Sequence, residues 1–314
     1  FGSSRIFAGS VSLWRWGHYT GRTPQAVLMF SLARRPLLGR MRSYGSSAGK
    51  KINLNADLAE GFGPWTMTAD DELLNIVNTA NIACGGHAGD CNIMARVLER
   101  AFKSGTSVGS HPGYEDKPGF GRRVLPMTLK EIENLVAYQT GALLGVAGLV
   151  RSRCADIPDA RVTHVKPHGA LNNVACENAD VAAAIVRGVV GVDRDLIMLA
   201  PAGSLLLKAA EEGGLPTASE VFADRAYMAD GNLSPRRMEG SVIHDPEQAC
   251  EHALRLASGL PVKALDTGAD VVLRADSICV HGDKPSAVKQ AQAVRDALLA
   301  EGFTMCTLPE VSKR

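Results

Sequence analysis

From Lys51 onward the chain alternates short apolar runs with amphipathic stretches. The runs at 52–58, 79–84, 106–110, 162–166, 196–200, 217–222 and 277–280 are too short for ordinary helices and predict buried strands. The stretches between them carry a helical period. In 92–103, Met94, Val97, Leu98 and Ala101 fall on one face while Arg96, Arg100 and Lys103 fall elsewhere. Thr128, with Glu131 three residues on, is a capping-box signature for a helix through 147. Further helices are predicted at 179–190, 204–212, 246–258 and 285–301. Parallel strands need a crossover long enough to hold a helix, so this alternation implies a parallel sheet. Seven strands, with an eighth at 303–308, predict an α/β fold that is a seven-stranded (β/α) barrel, closed or nearly so. The alternative is a doubly wound open sheet, but neither Gly-x-Gly-x-x-Gly after the first strand nor Gly-x-x-x-x-Gly-Lys-Ser/Thr supports it. No internal repeat or low-complexity linker interrupts 51–314, so one domain is expected there.

Polar chemistry sits where the predicted strands end. Asp57 and Glu60 follow the first, Cys84-Gly-Gly-His87-Ala-Gly-Asp90 the second, His111-Pro112 the third, Lys166-Pro-His168-Gly169 the fourth and His281-Gly-Asp283 the seventh. All strand C-termini of a parallel barrel open on one face, so these groups are expected to converge on one pocket. A bland reading stands beside each. Asp57 and Glu60 could cap a loop or helix, and His87 could be a satisfied structural histidine near Asp90. Pro112 keeps His111 extended, which aims its ring along the strand. Lys166 closes an apolar run, where a cation is expensive to bury unless it meets an anion; an internal salt bridge would serve equally. Pro167 fixes the turn that presents His168, whereas His164 reads as packing. His281 and Asp283 could orient one another as base and partner.

Other segments are less specific. Glu220, Asp224, Arg225 and Tyr227 read as a polar loop that could be a surface salt-bridge cluster. Gly119-Phe-Gly-Arg122-Arg123 reads as a mobile cationic loop suited to an anionic group, or as solvated arginines. Pro201-Ala-Gly203-Ser204 could hold a phosphate or carboxylate at a helix start, or be only a turn and cap. Cys84 is a candidate nucleophile at a strand end; an inert buried thiol is the plainer reading.

Composition narrows the function classes. The 34 Lys+Arg and 33 Asp+Glu nearly cancel to a net charge of +1, and no basic stripe interleaved with aromatics occurs, so nothing points to nucleic acid. No apolar stretch reaches the length of a membrane span. Seven scattered cysteines without a Cys-x-x-Cys pair fit a reducing compartment better than a disulfide-stapled fold. Residues 1–50 differ from the rest, since they hold no Asp or Glu but carry Arg5, Arg15, Arg22, Arg34, Arg35, Arg40 and Arg42. Such a leader reads as a disordered or targeting extension of mitochondrial type, as sequence upstream of a true start at Met29 or Met41, or as a folded arm. Without it, the cytoplasm is the expected location.

Taken in order, Asn53-Leu-Asn-Ala-Asp57-Leu-Ala-Glu60-Gly, Ala80-Asn-Ile-Ala-Cys84-Gly-Gly-His87-Ala-Gly-Asp90, Gly109-Ser-His111-Pro112, Gly119-Phe-Gly-Arg122, His164-Val-Lys166-Pro-His168-Gly-Ala-Leu171, Glu220-Val-Phe-Ala-Asp224-Arg225 and His281-Gly-Asp283 resemble the motif series of the LamB/YcsF family. The resemblance spans the chain from Lys51 to near its end. It implies an irregular barrel of the glycoside hydrolase/deacetylase type and ATP-dependent ring opening of 5-oxo-L-proline to L-glutamate. It also implies two companion 5-oxoprolinase subunits of B and C type, with ATP and Mg2+ as expected cofactors. Two positions depart from the family pattern: Asn172 stands where Tyr is usual, and Ala226 where Gly is common. Neither removes an acid, base or cation.

On this reading Asp57, Glu60, His87, His111, Lys166, His168 and His281 are catalytic candidates, and Asp90, Arg122, Glu220, Arg225 and Asp283 are substrate- or phosphate-binding candidates. Lys166, with Arg122 or Arg225, would neutralise phosphate charge, while Asp57, Glu60 and His87 or His168 would orient and deprotonate water. Replacing Lys166 or His168 is expected to abolish activity without unfolding the chain. The competing enzyme reading is a metal-dependent amidohydrolase or deacetylase in which Asp57, His87 and His111 hold a divalent ion. A silent protein that only binds 5-oxoproline is a third reading, and the chain could also form a homo-oligomer.

Overall fold

Strand β1 (Lys51–Leu58) shows how the sequence builds the fold. Its odd-numbered residues Asn53, Asn55 and Asp57 point into the lumen of a barrel, while Ile52, Leu54, Ala56 and Leu58 join the hydrophobic layer outside it. The computed structural model describes residues 49–154, 160–280 and 287–313. The acid-free segment through residue 48, together with His281 and Asp283, lies outside the described residues.

β2 (Thr79–Ala83), β3 (Ser107–His111), β4 (Val162–Val165), β5 (Ile197–Pro201) and β6 (Thr217–Phe222) follow β1 in parallel order. β7 (Val262–Lys263) and β8 (Asp270–Val271) form an antiparallel ribbon of their own, which the sequence reading did not contain. β9 (Ser277–Val280) pairs with β6 on one side and β1 on the other, closing a seven-stranded parallel barrel. The predicted eighth strand shrinks to β10 (Thr304–Met305), which extends the sheet beside the first residues of β1.

The helical layer consists of α1 (Asp70–Leu73), α2 (Cys91–Lys103), α3 (Leu129–Arg153), α4 (Gly169–Glu177), α5 (Ala179–Val192), α6 (Leu205–Glu212), α7 (Pro246–Ser258), α8 (Ala287–Ala300) and α9 (Leu308–Val311). Leu98, Val136, Leu143, Ile185 and Leu206 are among the fully buried residues packed against the outward strand faces. The capping box at Thr128 and Glu131 is formed in both directions, and α3 continues past the predicted end at 147 to Arg153. Helix α4 was not predicted, because Gly169-Ala-Leu-Asn-Asn lacks a clear apolar period and opens on a glycine with φ +54°. No described helix is long and apolar enough to cross a membrane.

Candidate active site

Four strand ends deliver the predicted groups to one place. Lys166, just past β4, is buried and its Nζ lies 2.8 Å from Asp57 Oδ1 and 2.8 Å from Glu220 Oε1. Glu220 stands within β6 and is fully buried, so it is an internal partner of Lys166 and not part of a surface cluster. Asn55 Oδ1, Cys279 Sγ and the ring of Phe222 also surround the ammonium. Burial pushes the Asp57 carboxyl up, but the charges and hydrogen bonds of His111 and Lys166 outweigh it and hold Asp57 well below the usual carboxylate range. Burial lowers Lys166, yet Asp57 and Glu220 keep it above its ordinary value. Desolvation raises Glu220. The lysine is therefore charged and committed to two carboxylates. Removing it would leave them facing each other without a cation, so a loss of stability is expected beside the loss of activity.

Beside this ion triad stands a histidine cluster. The rings of His87 and His168 stack with centroids 3.6 Å apart and an interplanar angle of 2°. His111 meets both edge-on. Its Nε2 is 3.3 Å from Asp57 Oδ2, which links the cluster to the triad. Glu60 Oε1 lies 3.2 Å from His87 Nε2 and 3.5 Å from His168 Nδ1. Ligand atoms of Glu60, His87, His111 and His168 all fall within 4.8 Å of one another. The donor cluster differs from the set read from sequence: Glu60 and His168 stand with His87 and His111, while Asp57 lies between Lys166 and His111.

Burial pushes His168 down to about 3, with the neighbouring His111 charge acting in the same sense. Burial also holds His87 well below the imidazole range, and takes His164, deep in the lumen, down to about 3. Each folded-state value lies below the unfolded one of about 6.5, so each neutral ring contributes stability that is present above pH 6.5 and lost as the pH falls towards the folded value. Denaturant unfolding from pH 7.5 to 5 should show stability nearly constant down to about pH 6.5 and then falling with a slope that approaches about 1.4 kcal/mol per pH unit for each such ring. A midpoint flat across that range would contradict the assignment of neutral buried rings.

Loops hold these rings in place. Gln139 on α3, buried, accepts from Gly113 N at 3.1 Å and donates to Gly113 O at 2.7 Å, so it clamps the turn after β3. The 119–123 segment is pinned, contrary to the expected mobile loop. Phe120 O accepts from His168 Nε2, Gly121 O accepts from Ala170 N at 2.9 Å, and Asp116 pairs with Arg123. Arg123 is thereby turned to Asp116, and Arg122 faces the pocket. Arg225 donates to the carbonyls of Ser234 and Ser241, bracing the loop after β6, while also lining the pocket. Burial lowers its guanidinium to about 10.

Asp90 stands apart from this constellation. Its carboxylate caps α2 by accepting from Asn92 N and Ile93 N, and it also accepts from Gly63 N. The short side chain is engaged by three backbone donors, which gives it a capping role at this helix start. Asp90→Ala should cost about 1 kcal/mol of stability in a melt and leave the catalytic rate nearly unchanged. Ser204 likewise caps α6 through Leu207 N. Cys84 donates to Ile82 O and burial pushes its thiol up to about 12, which fits the inert reading. The sequence reading missed Gln139, Asn81, Cys279 and the pocket-lining Arg236 and Arg237. A buried polar residue on an apolar helix face was the available signal for Gln139.

The resulting pocket has a volume of about 500 Å3. Asp57, Glu60, His111, Lys166 and His168 line it together with Arg122, Arg236 and Arg237. The family profile of LamB/YcsF matches residues 52–313, which takes in the barrel and every described site residue. The chain belongs to the LamB/YcsF family. Among LamB/YcsF relatives, the A subunit of 5-oxoprolinase from Azoarcus sp. strain BH72 is 46% identical over 263 residues, covering 84% of this chain and 99% of the relative. The protein of the same name from Rhodopseudomonas palustris (strain ATCC BAA-98 / CGA009) is 48% identical over 256 residues, covering 81% and 97%. Among solved structures, a lactam utilization protein from Thermus thermophilus is 38% identical with a TM-score of 0.74, over 82% of this chain and 99% of that one.

Proposed function

We propose that this LamB/YcsF chain is the A-type component of a 5-oxoprolinase that opens 5-oxo-L-proline to L-glutamate at the expense of ATP, with companion subunits of B and C type completing the catalytic unit. The observation that carries the reading is the near full-length similarity to relatives named as 5-oxoprolinase A subunits. The pocket supports it, since its volume falls in the usual small-molecule range of about 300–1,000 Å3 and it sets cationic arginines near an acid–imidazole cluster.

A lactam amide is a poor electrophile, and phosphorylation makes it a good one. Its oxygen attacks the γ-phosphorus of Mg-ATP, ADP leaves, and the nitrogen loses its proton to give a phosphorylated imidate. Water adds to the former carbonyl carbon, the nitrogen is reprotonated and the C–N bond breaks, leaving the γ-acyl phosphate of glutamate. A second water releases phosphate. Arg122 and the arginines at 236 and 237 offset the transferred charge and hold the substrate carboxylate. In this scheme Asp57, ionised beside Lys166 and adjacent to His111, takes the proton of the attacking water.

Glutamate formation measured with and without ATP, first with this chain alone and then with B- and C-type subunits, tests the reading. ATP-dependent glutamate release that requires the companions is expected. ATP-independent hydrolysis by the chain alone, or a fully active complex lacking the chain, would overturn it.

A further inference from the structure

The hydrogen bonds of the histidine cluster fix where its protons sit. A backbone carbonyl can only accept, so His111 Nδ1, 2.6 Å from Lys166 O, carries a hydrogen. By the same logic His168 Nε2, 2.9 Å from Phe120 O, carries one. The other two nitrogens, His111 Nε2 and His168 Nδ1, face each other at 2.9 Å, with Asp57 Oδ2 a further 3.3 Å from His111 Nε2. Ring nitrogens that close need a positive centre between them, either a proton or a metal ion. Glu60 Oε1 adds an acceptor 3.5 Å from His168 Nδ1, and it lies 3.2 Å from His87 Nε2. A single proton satisfies one such contact. A metal ion accepts several lone pairs at once.

From this geometry we infer that Glu60, His87, His111 and His168 form a site for one divalent cation of the zinc class, bound by this chain itself and distinct from the Mg2+ that accompanies ATP. A tetrahedral ion with bonds of about 2.0–2.1 Å holds its ligand atoms about 3.4 Å apart, close to the spacings between Glu60 and its two imidazoles. Three imidazoles and one carboxylate favour Zn2+, Co2+ or Fe2+ over Mg2+, which prefers oxygen ligands and retained water. The bonds to Lys166 O and Phe120 O are the outer contacts that orient metal-bound imidazoles by their second nitrogen. All four residues are buried, and Glu60, His111 and His168 line the pocket, which gives an ion a route of entry.

The inference does not depend on the lactam reading, and its test does not use turnover. The full chain, in a Cys91→Ser background that removes an exposed thiol, is stripped with a chelator and titrated with Co2+ by visible absorption, and separately with Zn2+ followed by elemental analysis. About one equivalent should bind, undisturbed by excess Mg2+. The Glu60→Gln and His168→Ala variants should each weaken Co2+ binding by about 100-fold or more, since even outer contacts to ligands are worth about 10- to 100-fold. A His244→Gln variant, altered at an exposed histidine, should bind as the parent does. Circular dichroism confirms that each variant is folded. A parent chain that binds Co2+ no more tightly than the Glu60→Gln variant, or whose Co2+ is displaced by Mg2+, would overturn the assignment; a shared proton would then hold the cluster together.

Discussion

Lys166→Met should destabilise the chain by about 3–5 kcal/mol and lower ATP-dependent glutamate formation by about 10²- to 10⁴-fold. The two effects have different origins and can be separated. The stability loss comes from Asp57 and Glu220, which are left buried and close together once the ammonium between them is gone. The activity loss comes from Asp57, whose carboxylate loses the partner that keeps it ionised and aimed. Adding Glu220→Gln to Lys166→Met removes one of the stranded charges, so the double variant should recover most of the stability while staying inactive. Denaturant melts and glutamate assays of the single and double variants check both halves. A double variant that regained activity along with stability would show that Lys166 serves the fold alone.

Gly121→Ala is the second large effect expected. Gly121 has φ +61°, and a Cβ there would lie 2.6 Å from His87 Cβ and 3.0 Å from His168 Cδ2. Left-handed backbone costs an alanine about 1–2 kcal/mol, and the crowding adds a further penalty of similar size. The stacked rings have no spare room, because Gly113 closes on His87 from another side: a Cβ there would meet His87 Nδ1 at 2.7 Å. The rings must shift, and a displacement of about 1 Å in a catalytic group is worth about 100-fold in rate. The expected result is a folded protein with a lower melting temperature and a kcat reduced by about two orders of magnitude. Unchanged kinetics would mean that the stack is not part of the catalytic geometry.

Much of this site was legible before any coordinates. In parallel β/α order, the side chains after successive strands share a face, so Asp57, Glu60, His87, His111, Lys166 and His168 could be grouped without knowing a distance. The choice of partners was not legible. Whether Lys166 pairs with Asp57 or faces solvent depends on Glu220, whose inward direction is set by the pairing of β6 with β9 more than fifty residues away. The cap at Asp90 was not legible, because an acid just before an amphipathic helix can be read as a ligand or as a cap, and the backbone donors at Asn92 and Ile93 show only in the folded chain. The loop 119–123 carried glycines and arginines that imply freedom, whereas its restraints come from His168 and Ala170, remote in sequence. The same limit explains the metal set: spacing along the chain could nominate histidines, but tautomers follow from the carbonyls they meet.

The asparagines of β1 have a mechanical consequence. Cys306 O and Thr79 hold Asn53, Asn53 and Asn55 share Ser277, Asn55 holds Asn81, and Asn81 donates to Asp57 while meeting His164. A continuous polar spine therefore runs up the middle of the molecule, from the end where the last short strand docks to the carboxylate at the opposite mouth. An oily interior would let that carboxylate swing on a single χ angle. Here its bearing is referred, rung by rung, to the far end of the chain, so a lesion near residue 306 can be felt as misalignment at the reacting bond.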